Sequence, residues 1–171
     1  TRHKVFTCLF IVEWPSSVSV LLAVKPCNED NSRGITVVKR AEDLAAAIEY
    51  VFSFDPRVIV DEYTAGREVR AACIEEADGT PTVLPKMEYF LKDIRTTAQK
   101  LAMDQSGKLK SDAIQAAKKD VDRQCPADLS PRLHERINAI VKEAHRVLKC
   151  RLYSLYDLRI DANEEPCISE A

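Results

Sequence analysis

The segment "VKPCNEDNSRG" (Val24–Gly34) ends an apolar run on Lys25 and continues through small polar and acidic residues to Gly34. A lysine at a strand end can set its ammonium against phosphate oxygens, and the amides of a small-residue loop can cradle the rest of such an anion. The same composition suits a solvated turn with a surface lysine, and the residues alone leave both readings open. In "VDEYTAGRE", Asp61 and Glu68 flank a short linker between two strands. Two carboxylates facing one crevice would accept hydrogen bonds from an adenine amino group and from ribose hydroxyls; acids near strand ends are also commonly just solvated. In "LYDLRIDANEEPCISEA", Asp157 and Glu170 fall in the two strands of a hairpin. Opposite each other on one face, they could hold Mg2+ between carboxylate oxygens and phosphates. An acid in an apolar strand is costly unless satisfied, so the pair is more informative than either member. Asp161 begins the hairpin turn and reads as a solvated turn residue.

Other chemistry is less well supported. His134 and His145 share a helix, but neither has a partner at i+4, and both are expected to face solvent. With no Ser/Cys-His constellation, nucleophilic catalysis is not indicated. The six cysteines are scattered without a CxxC pair, which argues against a zinc site or a disulfide scaffold and for reduced, cytoplasmic thiols. Cys125, before Pro126, reads as a packing residue. A formal charge of −2 gives no field to draw in nucleic acid or an anionic membrane. The apolar run "VFTCLFIV" is eight residues long, against the roughly 20 needed to span a bilayer. It reads as a buried strand or the ragged edge of a fragment.

These side chains need elements to position them. "VSVLLAVK" and "GITVVKR" are short, β-branched and aliphatic, and predict two strands around the polar loop. Leu44, Ala47, Ile48 and Val51 repeat at helical spacing, so a helix is expected from about Ala41 to Ser53, ended by Asp55-Pro56. "RVIVDEY" and "REVRAACIEE" predict strands, and Asp78-Gly79-Thr80-Pro81 turns the second into "TVLPKMEYF". Between Leu91 and Cys125 the chain is lysine-rich, with a helical stretch expected from Ser111 to Val121. Ser130 as N-cap and Pro131 at the first helical position open a helix with an apolar stripe of Leu133, Ile137, Ile140, Val141, Ala144, Val147 and Leu148. Two strands joined through 162–165 finish the chain. The order of elements predicts an α+β protein of two lobes, with the boundary near Thr64–Gly66.

Taken in order, "VKPCNEDNSRG", "VIVDEYTAGREV", "TAQK", "CPADLSPRLHERINAIVKEAHRVLKC", "SLYDLRID" and "CISEA" resemble the ATP-grasp ligases, and most closely the D-alanine–D-alanine ligases. The likeness runs from about Val20 to Ala171 and rests on the collinearity of the segments. It implies two small lobes of antiparallel sheet plus helices with a nucleotide crevice between them: an uncertain segment 1–18, part of a central lobe at 19–65, and a C-terminal lobe at 66–171 truncated at its end. It also implies ATP with Mg2+ (or Mn2+) and an acyl-phosphate route joining an amino acid or related carboxylate to an amine, and a homodimer is possible. Lys25 would lie on the phosphates, Asn31 and Ser32 would fall where the family's paired serines contact phosphate and the first amino acid, Asp61 would lie near the adenine amino group, and Tyr63 would belong to the same nucleotide site. Glu68 would meet the ribose, Lys100 would be the catalytic loop lysine, and Asp157 and Glu170 would be metal ligands. Asp30 stands where the family has a loop glycine, Leu101 where it has a tyrosine, and Leu155 where it has an oxyanion-stabilising arginine. Those departures support an alternative, a degenerate domain of the same fold that binds nucleotide or a partner protein without catalysis.

Overall fold

The computed structural model describes residues 3–6, 21–91, 93–97 and 122–171. The chain divides into two compact units, one with the described residues as far as Tyr63 together with those from Arg95, the other with Thr64–Ile94 and the described C-terminal part. Both are antiparallel sheet with a helix, so the chain is α+β.

The first unit holds β1 (His3–Phe6), β2 (Leu22–Pro26), β3 (Thr36–Val38) and β4 (Val58–Glu62) in the order β1-β4-β2-β3. A 3-10 turn at Ala41–Asp43 leads into α1 (Leu44–Phe52). Strand side chains alternate between faces, and helix side chains three and four apart share one. So α1 sets Leu44, Ala47, Ile48 and Val51 onto Leu22, Val24, Val38, Val58 and Val60, all buried. Ala23, Lys25, Ile59 and Asp61 therefore fall on the face that α1 leaves uncovered.

The second unit orders its strands β10-β9-β5-β7-β8, with β6 on the free part of β5. These are β5 (Arg67–Glu75), β6 (Pro81–Val83), β7 (Met87–Tyr89), β8 (Arg123–Gln124), β9 (Tyr153–Ile160) and β10 (Pro166–Glu170), with α2 (Pro131–Val147) between β8 and β9. The expected single strand "TVLPKMEYF" is broken at Leu84-Pro85-Lys86, because Pro85 has no N–H for the ladder and biases the residue before it. The cap of α2 forms as its sequence demands: Ser130 Oγ accepts from the Leu133 amide at 3.2 Å, with Pro131 next in the chain. Leu133, Ile137 and Val141 have 0% exposure and pack on Val69, Ala71, Cys73, Tyr156, Leu158 and Ile160. Full burial of each such side chain contributes about 1.5–3 kcal/mol.

Three expectations for this region are corrected. Val147 and Leu148 are 67% and 56% exposed, whereas His145 is buried at 4% with Nδ1 2.7 Å from Ser154 Oγ. The stripe turns away from the sheet at the helix end, where Leu148 is already the C-cap, and the histidine on the inward face finds a hydroxyl. Cys125 is exposed rather than packed.

Candidate functional site

In the first unit, Lys25 and Asp61 come together. Asp61 pairs with Ala23 across β2 and β4, so Lys25 is its diagonal neighbour on the same face. The ammonium lies 2.6 Å from Asp61 Oδ2, with the two side chains 24% and 18% exposed. Tyr63, just past β4, is buried, and its amide donates to the Leu21 carbonyl at 2.8 Å.

The loop after Lys25 is fastened at its base by Asp55, which is 3% exposed. Its carboxylate accepts from the amides of Asn28 and Arg57, each at 2.7 Å. Those bonds, the Arg57 amide's first, hold the Asp55 carboxyl below the usual carboxylate range. Asn31 and Ser32 sit at φ 54° and 60°, with Arg33 N donating to Asp30 O at 3.1 Å, the pattern of a type I′ turn. Gly34, at φ +76°, lies where an added Cβ would come 2.9 Å from Phe54 Cδ2. Asp30 folds back on its own neighbour, accepting from Asn31 N at 2.6 Å and Asn31 Nδ2 at 3.0 Å. The amides of Cys27, Asn28, Asn31, Arg33 and Ile35 are all donated within the chain. Those five amides are thereby committed within the chain, while the Lys25 ammonium stands at the mouth of the loop on a partly exposed pair.

In the second unit, one face of the sheet carries a checkerboard of charge. Register places Glu68 opposite Arg159 and Arg70 opposite Asp157 on β5 and β9, while Asp157 also faces Glu170 on β10. Glu68 and Arg159 are 3.3 Å apart, and their side chains are only 9% and 8% exposed. The rest of the Arg159 guanidinium donates to the carbonyls of Thr64, Gly66 and Asp93, each at 3.0 Å. It thereby ties down the turn where Gly66, at φ +142°, runs so close to Ile160 O that a Cβ would lie 2.0 Å from it. Arg70 Nε and Nη2 donate to the two oxygens of Asp157 at 2.6 and 2.7 Å. The Asp157 carboxylate holds the Arg70 proton even more firmly than usual, and the guanidinium stands over the Tyr89 ring at 5.7 Å.

Glu68, Asp157 and Glu170 accordingly share a sheet face, and Lys25 and Asp61 share another in the first unit. Lys100, and the helix expected over 111–121, lie outside the described residues. Sequence reasoning missed Arg70 and Arg159, although "EVR" on one strand and "DLR" on its antiparallel neighbour carry the complementary charges. It also missed Lys86, which is 2% exposed, lies with Nζ 3.2 Å from His134 Nε2 and donates to Asn138 Oδ1. Burial pushes its ammonium below the usual lysine range.

Divalent cations such as Mg2+ and Mn2+ seek carboxylate oxygens with spare lone pairs and little positive charge beside them. Both Asp157 oxygens already take a guanidinium N–H, and Glu170 across the strand is exposed. As folded, the pair does not fit a resident divalent cation.

The family model described as "D-ala D-ala ligase C-terminus" matches residues 10–171. The D-alanine–D-alanine ligase of Haemophilus influenzae is 32% identical over 141 residues, 82% of this chain and 41% of that protein. That of Geobacter sulfurreducens is 28% identical over 145 residues, 84% and 40% of the respective lengths. The chain therefore spans about two fifths of the curated relatives it matches. Among solved structures, the Bacillus anthracis D-alanine–D-alanine ligase complexed with ATP superposes with a TM-score of 0.68 at 18% identity, covering 99% of this chain and 47% of that one. VanG D-Ala:D-Ser ligase of Enterococcus faecalis gives 0.66 at 24%, covering 90% and 40%. At those identities the structures show the fold, the α+β ATP-grasp architecture. With nearly the whole chain matched by one family model, this protein belongs to the D-alanine–D-alanine ligase C-terminal domain family.

Proposed function

We propose that this chain is the ATP-binding portion of a carboxylate–amine ligase that acts on an amino acid or a related acid through an acyl phosphate, in a cytoplasmic setting. The observation that carries the reading is Lys25, whose ammonium stands at the end of β2, before the polar loop and on the face left bare by α1. Asp61 holds it in a partly exposed pair, and a polyphosphate can displace such a carboxylate at small cost. Asn31 and Ser32 extend the phosphate contacts, and Asp61 and Tyr63 continue toward the base within the same unit. The relative from B. anthracis, solved with ATP, supports the choice of nucleotide. By the family resemblance, Lys100 is the loop lysine for the terminal phosphate. Mg2+ accompanies ATP in this class of chemistry, but Asp157, with both oxygens taken by Arg70, is not disposed to hold it.

Calorimetric titration of the chain with ATP tests the reading: micromolar to low-millimolar binding is expected, weakened at least tenfold in Lys25→Met. Absence of binding at several millimolar ATP, or binding indifferent to Lys25→Met, overturns it. A second reading, a domain that binds nucleotide without ligating, is favoured by one observation, the Arg70 guanidinium on both oxygens of Asp157. Phosphate release from ATP in the presence of D-alanine separates the two, since only the ligase produces it.

A further inference from the structure

We infer that Arg70 stands in for a divalent cation at Asp157, neutralising that carboxylate with a built-in guanidinium and closing it to Mg2+ and Mn2+. The inference is independent of nucleotide binding in the first unit. Asp157 lies on β9 with Arg70 directly opposite on β5 and Glu170 opposite on β10, so the three side chains form one row on one face. Asp157 and Glu170 face each other across β9 and β10, and two carboxylates so placed attract positive charge. The Arg70 guanidinium engages Asp157 in a fork at 2.6 and 2.7 Å, the bidentate geometry in which arginine binds a carboxylate best.

Arg70 is also not placed to swing aside. Its guanidinium is over the Tyr89 ring, its side chain is only 29% exposed, and its stem lies between Glu68 and Ala72 on a strand paired along its length with β9. In the neighbouring row, Glu68 already faces Arg159 at 3.3 Å. A dication entering beside Asp157 would have to share the carboxylate with a fixed cation a few ångströms away, a repulsion that this half-buried site screens poorly.

The test is a titration with Mn2+, followed by the electron paramagnetic resonance signal of free aqueous Mn2+, on the chain and on variants whose fold is checked by circular dichroism and melting. The unaltered chain should bind Mn2+ no tighter than the millimolar range, and Asp157→Asn should leave that unchanged. Arg70→Ala should gain a site at least tenfold tighter, abolished when Asp157→Asn is added. Arg70→Gln, which keeps the stem and removes the charge, should behave as Arg70→Ala does and stands in for it if alanine unfolds the domain. Submillimolar binding by the unaltered chain that Asp157→Asn removes overturns the inference. So does a folded Arg70→Ala or Arg70→Gln with no gain in affinity. If neither variant folds, the comparison of the unaltered chain with Asp157→Asn decides by itself: equal weak binding upholds the inference and a loss overturns it.

Discussion

The two units each present a polar sheet face, and the faces are built in opposite ways. In the first, the ion pair of Lys25 with Asp61 lies diagonally across two strands with about a fifth of each side chain in solvent at 24% and 18%. In the second, two pairs stand directly opposite each other in adjacent rows, and three of the four side chains are at most 10% exposed. A pair that water already reaches can be traded for a ligand's charges with little change in stability. A buried, fully bonded pair cannot, because removing one partner strands the other. The contrast separates a face that can respond to a ligand from one whose charges are spent on the fold itself.

The strongest way to break this contrast is Arg159→Ala. It removes the cation beside buried Glu68 and the donor to three carbonyls, so unfolding free energy should fall by about 3–5 kcal/mol, measured by urea titration. A loss below about 1 kcal/mol, the range of a solvent-exposed pair, would mean that the second face is as soft as the first. A smaller effect is expected in acid. Asp55 in the first unit and Asp161 in the second both have carboxyls held below the usual range, Asp55 first by the Arg57 amide and Asp161 first by the Glu165 amide. Their unfolded forms take up protons before the folded forms do, so each contributes stability above the usual carboxylate value that is lost as pH drops through the lowered one. Melting temperature should fall below about pH 4, where ordinary aspartates titrate, and Asp55→Asn should flatten that fall while lowering the plateau at neutral pH. Smallest of all, Lys25→Ala should change stability by about 1 kcal/mol or less, whatever it does to nucleotide binding. A larger loss would make Lys25 a structural residue.

Much of this architecture was legible from periodicity. The α2 cap and the inward positions Leu133, Ile137 and Val141 follow from a serine, a proline and a helical repeat, all of them local. Strand positions followed from β-branched runs, and the facing of Asp157 and Glu170 followed from the short turn between their strands. What escaped depended on partners distant in sequence. Arg70 and Asp157 are 87 residues apart and Arg159 and Glu68 are 91 apart; each pairing exists only once the register of β5 with β9 is set. His145 escaped for a related reason: the depth to which a helix end is buried depends on where the sheet stops beneath it. Lys25 was legible as a candidate, but its pairing with Asp61 needed the β2–β4 register.

The alternation along β9 also governs how this domain can tolerate changes in length. Tyr156, Leu158 and Ile160 point to α2, while Leu155, Asp157 and Arg159 point the other way. Inserting or deleting one residue within Tyr153–Ile160 would exchange the two sets, pressing an aspartate and an arginine against Ile137 and turning a tyrosine, a leucine and an isoleucine toward Glu68 and Arg70. Point substitutions on either side can be absorbed one at a time, but a single-codon indel in this strand scrambles both sides together. Length variation in this domain is thus channelled into its loops, away from this interior strand.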